Sequence, residues 1–479
     1  MKPAPNVRNA LLHAPIAAML LRLAWPVLVG QLAVLAFSTI DTVLVARYSS
    51  LDLAAFAVGA ATYITVFIGL MGVVLAVGPI VGQLYGAKRL PEAGDGLHQA
   101  VWLSLGLSFI GSLVLAFPYP FLALAGARPE VEEKVRGYLL ALAFSLPASL
   151  LFTAYRGFNV AVSRPKAVMA LQLGALALKI PLSAALVFGF APLAIPSLGV
   201  TGCGVATLIA MWVQAIAAYV VLQRDPFYAR FELRGRRLRP LHRPSQRALL
   251  KLGVPMGLAI LIEVTGFSMM AIFISRLGSM PVAGHQIAAN LVSVMFMVPL
   301  ALSNATSTLV AQRVGASDMR DARRLGWHGM LITIGIAVAM GSAVYLARAS
   351  IARVYTPDPV VIAATLPLLA FVVVFHAGDA AQTIAAFVLR AYRIATVPLV
   401  IYAVSLWGIG LGGGYVIAFD LFGITPAELQ GARGFWFAAT IGVAVAGFGL
   451  GLFLIWVLRQ QHTKERATLA SQSAAKGDA

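Results

Sequence analysis

Three carboxylate side chains stand inside long apolar stretches of the sequence: Asp41, Glu263 and Asp379. A charged side chain near the centre of a bilayer costs at least about 2.5 kcal/mol on insertion scales, so acids are rare there. Carboxylates in this setting usually line a polar cavity and bind a cation or a proton. The three residues therefore predict cation or proton handling inside a membrane.

These acids also have structural interpretations. Asp41 stands six residues before Arg47 and could be an interfacial aspartate beside that arginine. Glu263 has no charged neighbour in its apolar stretch, so its alternative is a glutamate hydrogen-bonded in a contact between helices. Burying an acid is costly unless it is paired, which favours the functional interpretation for Glu263. Asp379 lies well inside its own apolar stretch, and the same interpretation is favoured there.

The elements that must position these acids are membrane-spanning helices. The chain has 479 residues, of which 60% are hydrophobic and 11% charged, and its mean hydropathy is +0.87. Soluble domains carry about 25% charged residues. A spanning helix needs about 20 mostly apolar residues. Twelve such runs are present: 15–46, 53–80, 97–120, 137–160, 167–190, 200–222, 249–275, 282–310, 325–347, 361–389, 395–418 and 434–458. The predicted fold class is an all-α polytopic membrane protein.

Basic residues are concentrated in alternate loops. The segment 223–248, between runs six and seven, contains eight arginines, and the other loops on that side also carry lysine or arginine. By the positive-inside rule both termini are cytoplasmic, which agrees with an even number of spans. The net charge of +18 is spread over loops rather than gathered on one face, which argues against nucleic-acid binding. The single cysteine, Cys203, excludes an internal disulfide.

The two halves of the chain resemble each other. Residues 22–88 align with residues 251–317 without a gap. Identical residues coincide in this alignment: Pro26 with Pro255, Arg47 with Arg276, Gln83 with Gln312 and Gly86 with Gly315. Because six runs separate corresponding points, both copies have the same orientation in the membrane, as in transporters built from parallel repeats. Two six-helix bundles that rock against each other would give alternating access.

Several strings in order carry a family resemblance across about 15–458. They are WPVLVGQL and TIDTVLVAR in run one, GQLYGAKR after run two, KIPLSAALVFG in run five, KLGVPMGLAILIEVTGF in run seven and FHAGDAAQTIAAFVLRAY in run ten. The chain resembles the multidrug and toxic compound extrusion (MATE) transporters, specifically the NorM-type branch. The resemblance implies an N-terminal six-helix lobe (1–222), a cytoplasmic basic linker (223–248), a C-terminal six-helix lobe (249–458) and a disordered cytoplasmic tail (459–479).

The resemblance also implies a function. It predicts a bacterial inner-membrane antiporter, not an enzyme, that exports organic and mainly cationic compounds and drugs against an inward flow of Na⁺ or H⁺. That coupling ion is the only cofactor expected. The predicted partners are these small molecules and the lipid bilayer, without nucleic acid, and the protein is expected to be a monomer.

Roles for the acids follow from the same resemblance. It implies that Asp41 faces a cavity in the N-terminal lobe and takes part in proton or substrate exchange. It places Glu263 and Asp379 together as the cation site of the C-terminal lobe, where they would hold Na⁺ if the protein is sodium-coupled. Two neighbouring carboxylates resist joint ionisation, so a proton or a bridging cation is expected there. Sodium is a hard cation and should favour oxygen ligands, as magnesium and calcium do.

Lys179 departs from the family pattern, because many relatives have an uncharged asparagine at this point of run five. A lysine can extend its side chain to an interface, but the central position of Lys179 makes that strained. We expect Lys179 to pair with Asp41 in the N-terminal lobe, which would keep Asp41 ionised and make it a poorer proton carrier. Ser183, one turn later, is a candidate for the same polar cluster.

Further polar residues and prolines are candidates for supporting roles. Gln286, Asn290 and Asn304 in run eight either line the substrate cavity or bridge helices. Pro26 and Pro255 are expected to bend their helices, since neighbouring helices and water can satisfy the freed carbonyls, and they are possible hinges.

Two other functions remain as alternatives. A lipid-linked precursor flippase of the same superfamily would share the paired bundles, but a polyanionic headgroup calls for central arginines, and the buried charges here are mainly acidic. A membrane enzyme would need a catalytic constellation. The GIGLGG string at 408–413 satisfies GxGxxG but lies in an apolar run without a preceding strand, so it indicates helix packing.

Overall fold

The computed structural model describes residues 14–125, 128–190, 192, 196–234 and 238–477. Twelve described helical segments are long and apolar enough to cross a membrane, which confirms the predicted class. The α-helices are α1 (Ala14–Tyr48), α2 (Ser50–Val74), α3 (Val77–Gly86), α4 (Leu90–Ala116), α5 (Tyr119–Ala125), α6 (Pro129–Ala161), α7 (Pro165–Phe188), α8 (Gly199–Arg224), α9 (Arg243–Ser275), α10 (Ser279–Gly315), α11 (Met319–Tyr355), α12 (Pro359–Leu369), α13 (Val372–Ala391), α14 (Thr396–Tyr402), α15 (Gly414–Ala418) and α16 (Ala432–Gly477).

The tenth predicted run is two helices rather than one. Helix α12 ends at Leu369 and α13 begins at Val372, and Phe371 donates its backbone N–H to the carbonyl of Leu368. Pro367 lies inside α12, which continues through it to Leu369, and the interruption follows at residues 370–371. Asp379 therefore lies in a separate helix of 20 residues.

The eleventh run also departs from a regular α-helix. A π-helical segment, Ala403–Gly413, separates α14 from α15 and contains the whole GIGLGG string. A side chain at Gly442 of α16 would collide with the carbonyl of Ser405, and Gly410 lies against the same point. These glycines allow α16 to approach closely, as expected for helix packing.

The predicted disordered tail is instead a continuation of α16, which runs to Gly477. Alanine, glutamate, glutamine and lysine in this stretch are good helix formers, and a helix already nucleated in the preceding span can extend through them.

The chain divides into two compact units. The N-terminal unit is Trp25–Leu261, and the C-terminal unit is Ile262–Ala479 together with Met1–Ala24. The divisions fall within α1 and α9 rather than between helices. They therefore differ from the expected lobe boundaries, which remain a prediction.

The N-terminal unit contains a buried ion pair at one end of its helices. Asp52 on α2 is 1% exposed and pairs with Lys134 of α6, whose Nζ lies 3.0 Å from Asp52 Oδ2. The backbone N–H of Val200 at the start of α8 donates to Asp52 Oδ1 at 2.9 Å. A carboxylate at a helix N-terminus is favourable. One side chain thus connects three helices.

Glycines allow α2 and α9 to cross closely within the N-terminal unit. A Cβ at Gly257 would lie 2.5 Å from the carbonyl oxygen of Gly69, and a Cβ at Gly72 would lie 2.5 Å from the Cα of Gly257. Both obstructing atoms are backbone, so rotamer changes cannot relieve the overlap. Small residues at such crossings are typical of membrane helices.

Hydrogen bonds attach the basic linker to the N-terminal unit. Asp225 accepts from the backbone N–H of Phe227 at 2.9 Å and from Arg164 Nη1 at 2.6 Å. The N–H of Phe227, followed by the Arg164 guanidinium, lowers the pKa of Asp225 below its usual value. Farther along, Trp102 of α4 donates to the carbonyl of Arg239 at 2.9 Å. The linker is therefore held at both of its described ends.

The glycine crossing leads to a stability prediction. Gly257→Ala should lower the apparent melting temperature of the purified protein by several degrees, because overpacking a tight contact typically costs about 1–3 kcal/mol. Gly174→Ala on α7 is the matched control, since a Cβ there meets no atom within 4 Å. Equal melting temperatures for both variants would contradict the tight crossing.

The linker contacts lead to a second prediction. Asp225→Asn should speed tryptic cleavage within the linker about two- to five-fold at neutral pH, in line with the modest strength of exposed ion pairs. Because the pKa of Asp225 is lowered by folding, its contribution is present above the unfolded pKa and disappears as pH falls through the folded value. Glu130→Gln is the control, because Glu130 is an exposed residue of α6 outside the linker.

Candidate functional site

The C-terminal unit brings Glu263 and Asp379 into one cluster. Glu263 stands on α9 and is half-buried, whereas Asp379 on α13 is 7% exposed. The two carboxylates are near enough to repel each other electrostatically. Gln382, three residues after Asp379, donates from Nε2 to Asp379 Oδ1 at 2.9 Å. The structure thus brings the two acids within electrostatic range of each other, with Asp379 held by a neighbouring amide.

Arg390 and Tyr402 complete this cluster. Arg390 is 5% exposed, its guanidinium carbon lies 4.5 Å from the ring centre of Phe387, and its charge attracts Glu263. Tyr402, also buried, interacts electrostatically with both acids and with Arg390. Its hydroxyl is 3.5 Å from the carbonyl oxygen of Gln382, so it reaches the residue that holds Asp379.

The charges in this cluster do not cancel. With both acids ionised, Glu263 and Asp379 carry two negative charges and Arg390 supplies one positive charge. Buried charge without a partner is unfavourable. One monovalent cation, or one proton, would make the cluster neutral. The surrounding carboxylate, amide, phenol and carbonyl oxygens are ligands suited to a hard cation.

Unpaired polar atoms lie on the helices around Asp379. The hydroxyls of Ser303, Thr333 and Thr383 and both ring nitrogens of His376 are buried without a hydrogen-bond partner among the described residues. Thr383 stands one turn after Asp379 and His376 one turn before it, so both lie along its side of α13. Buried polar groups are normally satisfied, so these atoms are suited to contact an ion or its water shell.

An aromatic wall packs beside the same helix. Trp436 of α16 is fully buried and donates from Nε1 to Nδ1 of His285 at 3.2 Å. The rings of Phe267 and Phe375 pack against it, with centroids 6.0 Å and 5.5 Å away. Phe375 stands one turn before Asp379, so this apolar wall also fixes the position of the acid-bearing helix.

The N-terminal unit contains the predicted pair of Asp41 and Lys179. Lys179 Nζ on α7 lies 2.5 Å from Asp41 Oδ2 on α1. The two residues are 4% and 2% exposed, so both side chains are enclosed by the protein and Lys179 reaches Asp41 rather than the surface. Ser183 Oγ lies 3.4 Å from Asp41 Oδ1, which places it in the expected polar cluster.

Two further contacts hold the Lys179 ammonium. It donates to Thr207 Oγ1 of α8 at 2.9 Å, and it lies 4.8 Å from the ring centre of Phe37 on α1. Thr207 in turn donates to the carbonyl of Cys203 at 3.0 Å. The ammonium is therefore surrounded by a carboxylate, a hydroxyl and an aromatic face, the groups that commonly surround a bound cation.

The other candidates lie outside these two clusters. Asn290 accepts a hydrogen bond from Tyr355 of α11 at 2.9 Å, so it bridges helices. Asn304 donates to the carbonyl of Leu300 on its own helix, and Gln286 is exposed. Pro26 and Pro255 stand inside α1 and α9, which continue through them. The cavity and hinge roles of these residues remain predictions.

Sequence reasoning missed several members of both clusters. Thr207, Gln382 and Tyr402 are common residue types in apolar helices, and nothing local distinguishes them. Arg390 offered the clearest signal, since it is a basic residue at the end of a run that also contains a carboxylate. Its burial depends on the surrounding helices. No group of three or more His, Cys, Asp or Glu side chains suited to a metal occurs within the described ranges.

Comparison with known proteins agrees with the internal repeat. The MatE family model matches residues 26–185 and residues 255–416, one match in each half. The probable multidrug resistance protein NorM of Aromatoleum aromaticum is 39% identical over 447 residues, covering 93% of this chain and 95% of the relative. Multidrug resistance protein PmpM of Pseudomonas aeruginosa is 35% identical over 433 residues, covering 90% and 89%.

Solved structures show the same fold. The eukaryotic MATE transporter AtDTX14 superposes with a TM-score of 0.83 at 19% identity, covering 96% of this chain and 99% of that one. The bent form of the Vibrio cholerae MATE transporter VcmN gives a TM-score of 0.82 at 20% identity, covering 95% and 99%. Together with twelve apolar helices, the bacterial relatives indicate a multi-pass bacterial membrane protein. The chain belongs to the MATE family of transporters, in its NorM-type branch.

Proposed function

We propose that this protein is a multidrug efflux transporter that exports organic compounds, mainly cations, in exchange for Na⁺ or H⁺. The relatives named multidrug resistance proteins support the substrate class. The observation that carries the proposal is a cluster inside a unit of membrane-spanning helices in which the two acids Glu263 and Asp379 outnumber Arg390. We place the protein in the bacterial inner membrane as a monomer with both termini in the cytoplasm, where the basic linker would also lie.

The cluster provides a physical basis for coupling. When the cluster is empty, its net negative charge attracts a cation or a proton. Occupancy makes it neutral and weakens the attraction for a cationic substrate. A ligand shifts a conformational equilibrium only through different affinities for the two states, and this change of charge supplies such a difference. Ion and substrate would then leave on opposite sides through alternating access.

The driving force is adequate for useful export. One positive charge crossing a 100 mV potential yields about 2.3 kcal/mol, which corresponds to roughly fifty-fold accumulation. This figure applies when an uncharged compound leaves for each ion that enters. Exchange of one monovalent organic cation for one ion moves no net charge, so that export is driven by the concentration gradient of the ion or by entry of more than one ion.

A third prediction concerns the two acids of the C-terminal unit. Glu263→Gln and Asp379→Asn should each reduce ethidium or norfloxacin efflux about ten-fold or more, because coupling free energies between ligands are typically about 1–3 kcal/mol. The measurement is efflux from cells lacking their own pumps, followed by uptake into inverted vesicles with a sodium gradient or a proton gradient. The gradient that drives wild-type uptake identifies the ion.

Controls for this experiment are available in the same chain. Glu133→Gln replaces an exposed acid of α6 and should leave efflux unchanged. Membrane insertion of each variant is checked by immunoblot. Full efflux in both site variants would remove the carboxylate pair from the mechanism. Absence of wild-type uptake under either gradient would favour the lipid-linked precursor flippase instead.

A fourth prediction concerns Arg390. Arg390→Gln removes the positive charge that offsets Glu263, so the coupling ion should bind more tightly and leave more slowly. The ion concentration for half-maximal efflux should fall, and the maximal rate should fall with it. Arg390→Lys, which keeps the charge, should restore much of the wild-type behaviour. An unchanged half-maximal concentration in a folded Arg390→Gln protein would show that Arg390 does not tune the site.

A further inference from the structure

The two units differ in how their buried carboxylates are neutralised. In the C-terminal unit, Glu263 and Asp379 outnumber Arg390. In the N-terminal unit, Asp41 is matched by Lys179 at 2.5 Å, and that pair carries no net charge. We propose that the Lys179 ammonium is a built-in cation that occupies the position of a mobile ion at Asp41, so that the coupling ion binds in the C-terminal unit alone. This inference rests on the proposed ion-coupled function.

The contacts of Asp41 leave little room for another ligand. Its Oδ2 receives Lys179, and its Oδ1 faces the Ser183 hydroxyl at 3.4 Å. The Cys203 thiol of α8 also contacts this carboxylate. With 4% of the residue exposed, water has little access to complete the shell of an incoming ion. Both carboxylate oxygens are therefore already in use.

Lys179 is held as a bound ion would be. Its ammonium has Asp41 Oδ2, Thr207 Oγ1 at 2.9 Å and the face of Phe37 around it. These groups come from α1 and α8, so the ammonium, which belongs to α7, connects three helices of the unit. A tethered cation differs from Na⁺ in one respect, because its backbone keeps it within reach of Asp41 throughout the cycle.

Charge balance makes simultaneous occupancy unfavourable. A mobile cation entering beside Lys179 would leave an unpaired positive charge in a buried site, which is strongly unfavourable. Removal of Lys179 alone reverses this situation. It leaves the Asp41 carboxylate with the hydroxyls of Ser183 and Thr207, a set of oxygen atoms that a hard cation can use.

The proposal is tested by counting cations on the purified full-length protein in lipid nanodiscs. Radioactive sodium bound at saturation and protons taken up on acidification are measured for wild type, Lys179→Met and the neutral double variant Asp41→Asn/Lys179→Met. The titratable groups around the pair are Cys203 of α8 and Tyr138 of α6, and they are the same in all three proteins. The single variant should bind about one more cation, sodium or proton, than wild type, since one carboxylate loses its partner. The double variant should match wild type.

Two results would overturn the proposal. A double variant that binds fewer cations than wild type would show that Asp41 takes up a mobile ion in spite of Lys179. A folded Lys179→Met protein without additional binding would show that Lys179 does not occupy an ion position. If the single variant does not fold, the comparison of wild type with the double variant still decides, because neutral replacement of a buried pair is generally tolerated.

One further variant distinguishes failure of this inference from failure of the proposed function. Glu263→Gln/Asp379→Asn should bind fewer cations than wild type if the C-terminal cluster is the coupling site. Equal binding would contradict ion coupling through that cluster, while the Lys179 comparison would remain interpretable on its own.

Discussion

Every buried charge in this protein must be balanced within a few side chains, because the membrane interior offers no water to do so. The N-terminal unit meets this constraint with its own residues, through the pair of Asp41 and Lys179. The C-terminal unit meets it only in part, since Arg390 offsets Glu263 while Asp379 adds a second acid to the same cluster. The helices around each cluster reflect this difference. In the first cluster Ser183 donates to Asp41 and Thr207 accepts from Lys179, whereas Thr383, one turn after Asp379, has a buried hydroxyl without a hydrogen-bond partner among the described residues.

The internal repeat makes this contrast informative. The family model matches both halves, so the two units come from one helical plan. Asp41 and Glu263 are carried by the first helix of each copy, α1 and α9. The surrounding residues have diverged. A lysine in α7 neutralises one acid, whereas a second acid in α13 adds to the charge of the other. The two similar units therefore differ in the balance of acidic and basic residues in their buried clusters.

The sequence was sufficient for the spans and the buried acids, because the cost of charge in a bilayer gives each of them a strong local signal. Asp41 and Lys179 could be paired in advance for the same reason, since each needed a partner of opposite sign. Arg390 could not be placed, because basic residues near the end of an apolar run are usually interfacial. Only the packing of α13 against its neighbours shows that it turns inward.

The interruption between α12 and α13 was equally hidden. Pro367 is visible in the sequence, but it lies within α12, just as Pro26, Pro255 and Pro299 lie within helices that continue through them. Whether a proline bends or ends a membrane helix depends on which neighbours satisfy the freed carbonyl. The identity of those neighbours depends on the tertiary structure, so it cannot be read from the sequence. The same holds for the π-helical segment at 403–413, whose glycines accommodate α16.

The hydrogen bond between Trp436 and His285 gives the C-terminal unit an intrinsic optical probe. Trp436 is buried among Phe267, His285 and Phe375, and Phe375 precedes Asp379 by one turn of α13. Indole emission depends on hydrogen bonding and on nearby rings, so a small rotation of α13 on ion binding would alter the environment of this fluorophore. In a variant that keeps Trp436 and lacks the other six tryptophans, occupancy of the carboxylate site could then be followed by fluorescence, without a label and without a transported substrate.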